Sequence, residues 1–227
     1  MTFVPTLDSE APQRPRIPRF LDATEIRILG SLMEKQLATP EYYPLTLNAL
    51  VAACNQKSNR EPVMELGESD VDRALGRLQD EKLVWRVMGG RAVRFDHNLD
   101  SVWHLERPEK AIMTLLFLRG AQTAGELRGR SDRLHSFDSV QQVEEILEDM
   151  RGHSEPLVRG LGRRPGQKEA RWMHTAGGEA AEPEPAPAAG TAAAQHGEPL
   201  SARVTRLEAA VESLERELRA LKDKLGE

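Results

Sequence analysis

Cysteine is nearly missing from this chain: among 227 residues only Cys54 is present, which excludes an internal disulfide framework and any C-x-x-C zinc or redox motif. Aromatic residues are scarce as well, at three Trp, two Tyr and five Phe. No run approaches the roughly 18 to 20 apolar residues that a spanning helix requires, so a membrane protein is excluded. The opening MTFVPTLDSEAPQRPRIPRF is proline-rich and lacks the apolar core of a signal peptide, and the expected location is cytoplasmic. An excess of one charge is missing too. The net charge is -5, but removing the 6 basic and 10 acidic residues after position 174 from totals of 31 and 36 leaves 25 against 26. The body is close to neutral, so any nucleic-acid contact has to come from local basic patches rather than from a global field.

What is present is helical periodicity. Asp22, three residues before Glu25, reads as the N-cap of a helix reaching about Leu37, with Ile26, Leu29, Leu32 and Met33 on one face. Thr46 caps a shorter second helix with Leu47, Leu50, Val51 and Cys54 on its buried stripe, which makes Cys54 a core residue rather than a reactive one. Ser69 with Asp72 starts a third helix carrying Val71, Ala74, Leu75 and Leu78. The period then changes to two. LVWRVM, Gly89-Gly90 and RAVRF form a hairpin signal; in that register Trp85 faces Arg94, and Val84, Arg86 and Met88 share a face with Arg91, Val93 and Phe95.

The order of helix, helix, helix and hairpin then recurs. Pro108 opens a helix with Ile112, Leu115 and Leu116, Thr123 and Glu126 make a capping box for AGELRGR, and a helix after Ser139 carries Val140, Val143, Leu147 and Met150. LVRGL and ARWMH are the strands of a second hairpin. The expected fold class is α+β and mainly helical. Two tandem winged-helix domains, at 21–106 and 107–174, follow a disordered N-terminal arm at 1–20, since three helices and a hairpin are the winged variant of the helix-turn-helix. Residues 175–198, rich in Ala, Pro and Glu, read as a disordered linker. Residues 199–227 read as a coiled-coil helix. Val204, Val211, Leu218 and Leu225 fall at a, and Leu207, Leu214 and Leu221 at d.

The stretch LDATEIRILGSLMEKQLATPEYYPLTLNALVAACNQKSNREPVM, together with KAIMTLLFLRGAQTAGELRGR and the HSF at 135–137, resembles the bacterial YceH-like family of uncharacterised proteins. The resemblance runs from about Leu21 to His174 and implies a tandem winged-helix fold with no established activity. It supplies no site residues, so the site argument rests on the chemistry of the side chains.

Both hairpins are basic. Arg86, Arg91 and Arg94 lie in the first, and Arg163, Arg164 and Lys168 in the second; guanidinium groups on a protruding hairpin suit phosphate oxygens, although a solvated hairpin carries the same residues. Lys57 and Arg60, in NQKSNR before the third helix, and Arg73 and Arg77 on that helix complete the candidate DNA-contacting set. Residues of the NQKSNR type also close turns and cap helices. The second unit's third helix is different. Asp138, Glu144, Glu145, Glu148 and Asp149 make it a poor reader of DNA and a better protein-binding face. No catalytic residue is expected. His97 and His104, seven apart with Asp96 and Asp100, lack metal-ligand spacing, GLGRRPG lacks the ending of a phosphate-binding loop, and Trp85, Trp103 and Trp172 read as core plugs. No cofactor or metal is expected, and the chain reads as a non-enzymatic, regulator-like DNA-binding protein, with a protein-interaction adaptor as the alternative.

The heptads predict a homodimer through the tail. About three and a half heptads should give weak, concentration-dependent pairing, on the order of micromolar. Leu214→Asp places a charge in the seam of every chain and should lower the mass seen by light scattering. An unchanged mass would reject the coiled coil.

Overall fold

The computed structural model describes residues 17–89, 92–162 and 169–178. Among them are seven α-helices and two three-stranded antiparallel sheets, an α+β chain of which about half is helical. The expected linker and heptad tail, with Val204, Leu207, Val211, Leu214, Leu218, Leu221 and Leu225, and the hairpin residues Arg91, Arg163, Arg164 and Lys168 lie outside the described residues.

Helix α1 (Ala23–Ala38) begins where the sequence places it, because Asp22 accepts the Glu25 amide at 2.8 Å and Glu25 accepts the Asp22 amide at 2.9 Å. Strand β1 (Leu45–Thr46) then runs directly into α2 (Leu47–Cys54), whose Ala49 amide is capped by the Thr46 hydroxyl. Helix α3 (Glu68–Asp80) starts earlier than the Ser69–Asp72 pair predicts. Gly67 is the N-cap and the Asp70 carboxylate accepts its amide at 3.2 Å, leaving Ser69 inside the first turn. Strands β2 (Val84–Gly89) and β3 (Ala92–His97) make the hairpin in the order β1-β3-β2.

The hairpin register differs from the expected one by two residues. Trp85 pairs with Asp96 rather than Arg94, and Gly89 pairs with Ala92. A slip of two leaves the faces unchanged, so Val84, Arg86 and Met88 still share a side with Val93 and Phe95. Trp85 is not a core plug. It is 45% exposed, whereas Trp103 and Trp172 are buried as expected.

Between the two repeats, α4 (Leu99–Trp103) was not anticipated, because five residues are too few to show a period. Its Leu99 and Trp103, with Leu105 after it, are buried. The second repeat comprises α5 (Arg107–Arg119), β4 (Gln122–Thr123), α6 (Ala124–Arg130), α7 (Val140–Gly152), β5 (Val158–Leu161) and β6 (Arg171–His174). Its strand order, β4-β6-β5, matches the first. The correspondence extends to single residues: Thr46 pairs with Arg94 and caps α2, while Thr123 pairs with Arg171 and caps α6.

The repeats share one continuous core. Helix α1 is buried from Glu25 to Met33 and α5 from Lys110 to Leu118, all round rather than on one stripe. The reason is that they pack on each other antiparallel. Lys110 donates to Gln36 at 2.8 Å near one end, and Gly30 meets Phe117 and Leu118 at the other. The Glu61 amide adds a bond to the Leu118 carbonyl at 2.8 Å.

A Cβ at Gly30 would lie 2.9 Å from both Leu118 Cδ2 and Phe117 Cβ, and the latter is fixed to the α5 backbone. Gly30→Val should therefore push α1 and α5 apart and cost about 2 kcal/mol in urea denaturation. Gly76→Ala is the matched control. It sits in α3 with nothing within 4 Å of the new Cβ and should stabilise by up to about 1 kcal/mol through helix propensity.

Candidate nucleic-acid interface

The candidate arginines of the first repeat divide sharply once their surroundings are known. Arg60 is in the interior. Its guanidinium donates to both oxygens of Glu34, at 3.1 and 2.6 Å, and to the Ala53 carbonyl that ends α2. Burial alone would raise the Glu34 carboxyl, but the hydrogen bonds and charge of Arg60 hold it below its ordinary range. Arg60 is a structural tie between α1 and the loop after α2, not a phosphate ligand.

Arg77 is committed as well. It bridges α3 to the start of α1 through Asp22 and through Glu25, whose oxygen it meets at 2.7 Å. Burial pushes the Glu25 carboxyl up, yet the bonds from Arg19, the Asp22 amide and Arg77 outweigh it and hold the group at about 2. Arg94 donates to the Pro44 carbonyl at 2.7 Å, and its counterpart Arg171 donates to the Ala121 carbonyl. The same strand-to-strand clasp recurs in both repeats. These side chains are occupied by the fold.

Three candidates remain exposed. Lys57 lies in the loop after α2, Arg73 projects from α3 with 70% of its side chain exposed, and Arg86 sits on β2 with its guanidinium 5.9 Å from the Phe95 ring. Asp70 lies 4.0 Å from Arg73, too far and too wet to neutralise it. The same hairpin exposes Val87, Val93 and, at 80%, Met88. Sequence reasoning missed a second basic group. Arg128, Arg130 and Arg133, at the end of α6 and in the turn after it, are exposed, but Arg130 pairs with Glu126 at 3.2 Å and donates to Gln122 at 2.7 Å, and Arg128 donates to the Asp138 carbonyl at 3.2 Å; in sequence they are scattered along a capped helix and give no periodic signal. The acids of α7 are exposed, as expected.

Cys54, Tyr43, His97 and Asp100 are taken up by the fold. Burial pushes the Cys54 thiol up to about 11, which keeps it protonated. The Tyr43 hydroxyl donates to Asp96 at 2.6 Å and accepts the His97 amide at 2.9 Å; its burial and that carboxylate raise it further. Asp100 accepts from Lys110. His97 Nε2 meets Gln36 Oε1 at 2.9 Å and its Nδ1 accepts the Leu99 amide, which describes a neutral ring protonated at Nε2. In the second repeat His174 takes the place of His97, since Val158 pairs with it as Val84 pairs with His97.

A family profile described as "Protein of unknown function, DUF480" matches residues 21–167. A UPF0502 protein of Chromobacterium violaceum is 44% identical over 208 residues, covering 91% of this chain and 92% of its own. Another, from Pseudomonas paraeruginosa, is 51% identical over 169 residues, covering 74% and 76%. A third, from Geotalea daltonii, is 47% identical over 173 residues, covering 74% and 79%. The matches agree with the resemblance to an uncharacterised bacterial family.

The paired histidines make stability depend on pH. Burial lowers each from 6.5 to about 4, so both are neutral in the folded chain and take up protons on unfolding. Their contribution is complete above about pH 6.5 and is lost as the pH falls towards 4, on the order of 3 kcal/mol for each. The urea midpoint should hold steady from pH 8 to 7 and drop between 6.5 and 4. His97→Gln should remove about half of that drop; an equally steep fall in the variant would locate the dependence elsewhere.

Proposed function

The chain belongs to the DUF480 family of proteins of unknown function, and we propose that it is a non-enzymatic tandem winged-helix protein that binds duplex DNA as a regulator does. The observation that carries this reading is the exposure of Lys57, Arg73 and Arg86 on three successive parts of one repeat. Those parts, the turn before the third helix, the third helix itself and the hairpin, are the ones a winged helix presents to a groove and its phosphates. Met88 and Val93 at the hairpin end suit a shallow apolar contact in a minor groove. In the second repeat, Arg133 offers a phosphate contact that its acidic α7 does not. Two copies joined by the heptad tail in the cytoplasm would present two such surfaces.

A second reading, a protein-interaction adaptor, is favoured by a different observation. Trp85, Val87, Met88 and Val93 give one hairpin a concentration of exposed apolar surface, and α7 offers an acidic face.

Titration against mixed-sequence duplex at two salt concentrations separates the two. Lys57→Glu, Arg73→Glu and Arg86→Glu alter exposed side chains, so each should weaken binding and reduce the log-log salt slope by about one unit. No binding at about 50 mM salt would overturn the DNA reading in favour of the adaptor.

A further inference from the structure

Where the two repeats meet, a cavity of about 430 Å³ opens between α1, the loop after α2, the end of α5 and β6. Its wall is largely apolar, with Ile26, Met64, Leu116, Phe117 and Met173 among its residues. The volume falls in the range of small-molecule sites. Four polar side chains join that wall, Asp22, Glu61, Arg27 and His174, and the last two are almost wholly buried, at 2% and 3% exposure.

Neither Arg27 nor His174 is satisfied. Arg27 donates to the Cys54 carbonyl at 3.1 Å and the Pro62 carbonyl at 2.6 Å, but its Nε has no partner and no carboxylate pairs with it among the described residues. The charge that acts on it is the like charge of Arg60, itself paired with Glu34. A guanidinium sealed in the core without an anion is expensive, and the buried Arg60 shows the usual solution, its pair with Glu34. His174 repeats the pattern. Its counterpart His97 has both ring nitrogens engaged, by Gln36 and the Leu99 amide, whereas His174 Nδ1 has no partner.

We propose that this cavity is a binding site for a small amphipathic carboxylate, whose anionic head pairs with Arg27 and bonds His174 while its hydrocarbon body lies against the apolar wall. The chemistry of the wall sets the polarity of the guest. Asp22 is engaged by Arg77 and Glu61 is exposed, so an anion is favoured at the buried Arg27 and disfavoured at Glu61. Neither the hairpin nor Lys57, Arg73 or Arg86 lines the site, and it does not depend on DNA binding.

Calorimetric titration of the full chain with octanoate, and with octanol as the uncharged match, tests this. Saturable octanoate binding below about 1 mM is expected, with octanol and the Arg27→Met variant each about tenfold weaker for want of the charge-assisted bond. Met64→Trp, at the partly exposed rim, narrows the cavity without touching the core; it should abolish binding while leaving the circular dichroism unchanged, and it carries the test if Arg27→Met does not fold. The proposal is overturned if octanoate does not saturate by about 10 mM, if octanol binds as well, or if Met64→Trp leaves the affinity intact.

Discussion

The antiparallel contact of α1 with α5 is the constraint on which the rest of the structure depends. Each repeat alone would leave its leading helix with one bare side, for α1 turns Arg27 and Ser31 towards Cys54 of α2 but Gly30 and Gln36 towards α5. Joining the helices covers both bare sides at once, and Gly30 permits the approach by having no side chain to place between the backbones. Polar ties then fix the alignment. Lys110 reaches Gln36 and Asp100, Arg119 reaches Asn59 at 3.0 Å, and the Glu61 amide reaches Leu118. The hairpins and short helices hang from this pair, so their relative placement is inherited from it.

Local signals made most of the scaffold legible. Asp22–Glu25, Thr46, Thr123–Glu126 and Ser139 act within three or four residues of themselves, and each starts a helix where its chemistry requires. The features that escaped depend on distant partners. β1 and β4 are two residues long and exist only because Arg94 and Arg171 lie across from their threonines about fifty residues later. Helix α4 is held by burial of Leu99 and Trp103, and the burial of α1 on its second side needs the whole second repeat. A single period of 3.6 predicts one buried stripe and cannot announce a second helix on the other side.

The candidate interface shows the same division within one residue type. In sequence Arg60, Arg77 and Arg94 are as suitable for phosphate as Lys57, Arg73 and Arg86, because charge and reach are the same. What separates them is whether a carboxylate or a carbonyl arrives from elsewhere in the fold. Glu34 is 26 residues from Arg60, Glu25 is 52 from Arg77, and Pro44 is 50 from Arg94. A basic patch counted along the chain therefore overstates the surface charge available to a partner. The converse error concerns Arg133, which no hairpin pattern marks but which the turn after α6 leaves in solvent.

The two repeats share a skeleton but differ in how its polar positions are filled, and that difference bears on what each can do. Thr46 and Thr123 cap, Arg94 and Arg171 clasp, and His97 and His174 close the inner strand. Departures from symmetry occur at His174, where Nδ1 lacks the bond that the Leu99 amide gives His97, and at α7, where exposed acids replace the mixed charges of α3. A skeleton needs its capping and clasping positions filled alike in both copies, because the same strand order imposes the same unpaired amides and carbonyls. It places no such demand on exposed faces or on the wall of a cavity. The unlike positions are thus the ones free of the scaffold's requirements: the first repeat exposes mixed charges on α3 where the second exposes acids on α7, and the second leaves a histidine nitrogen without a partner at the junction.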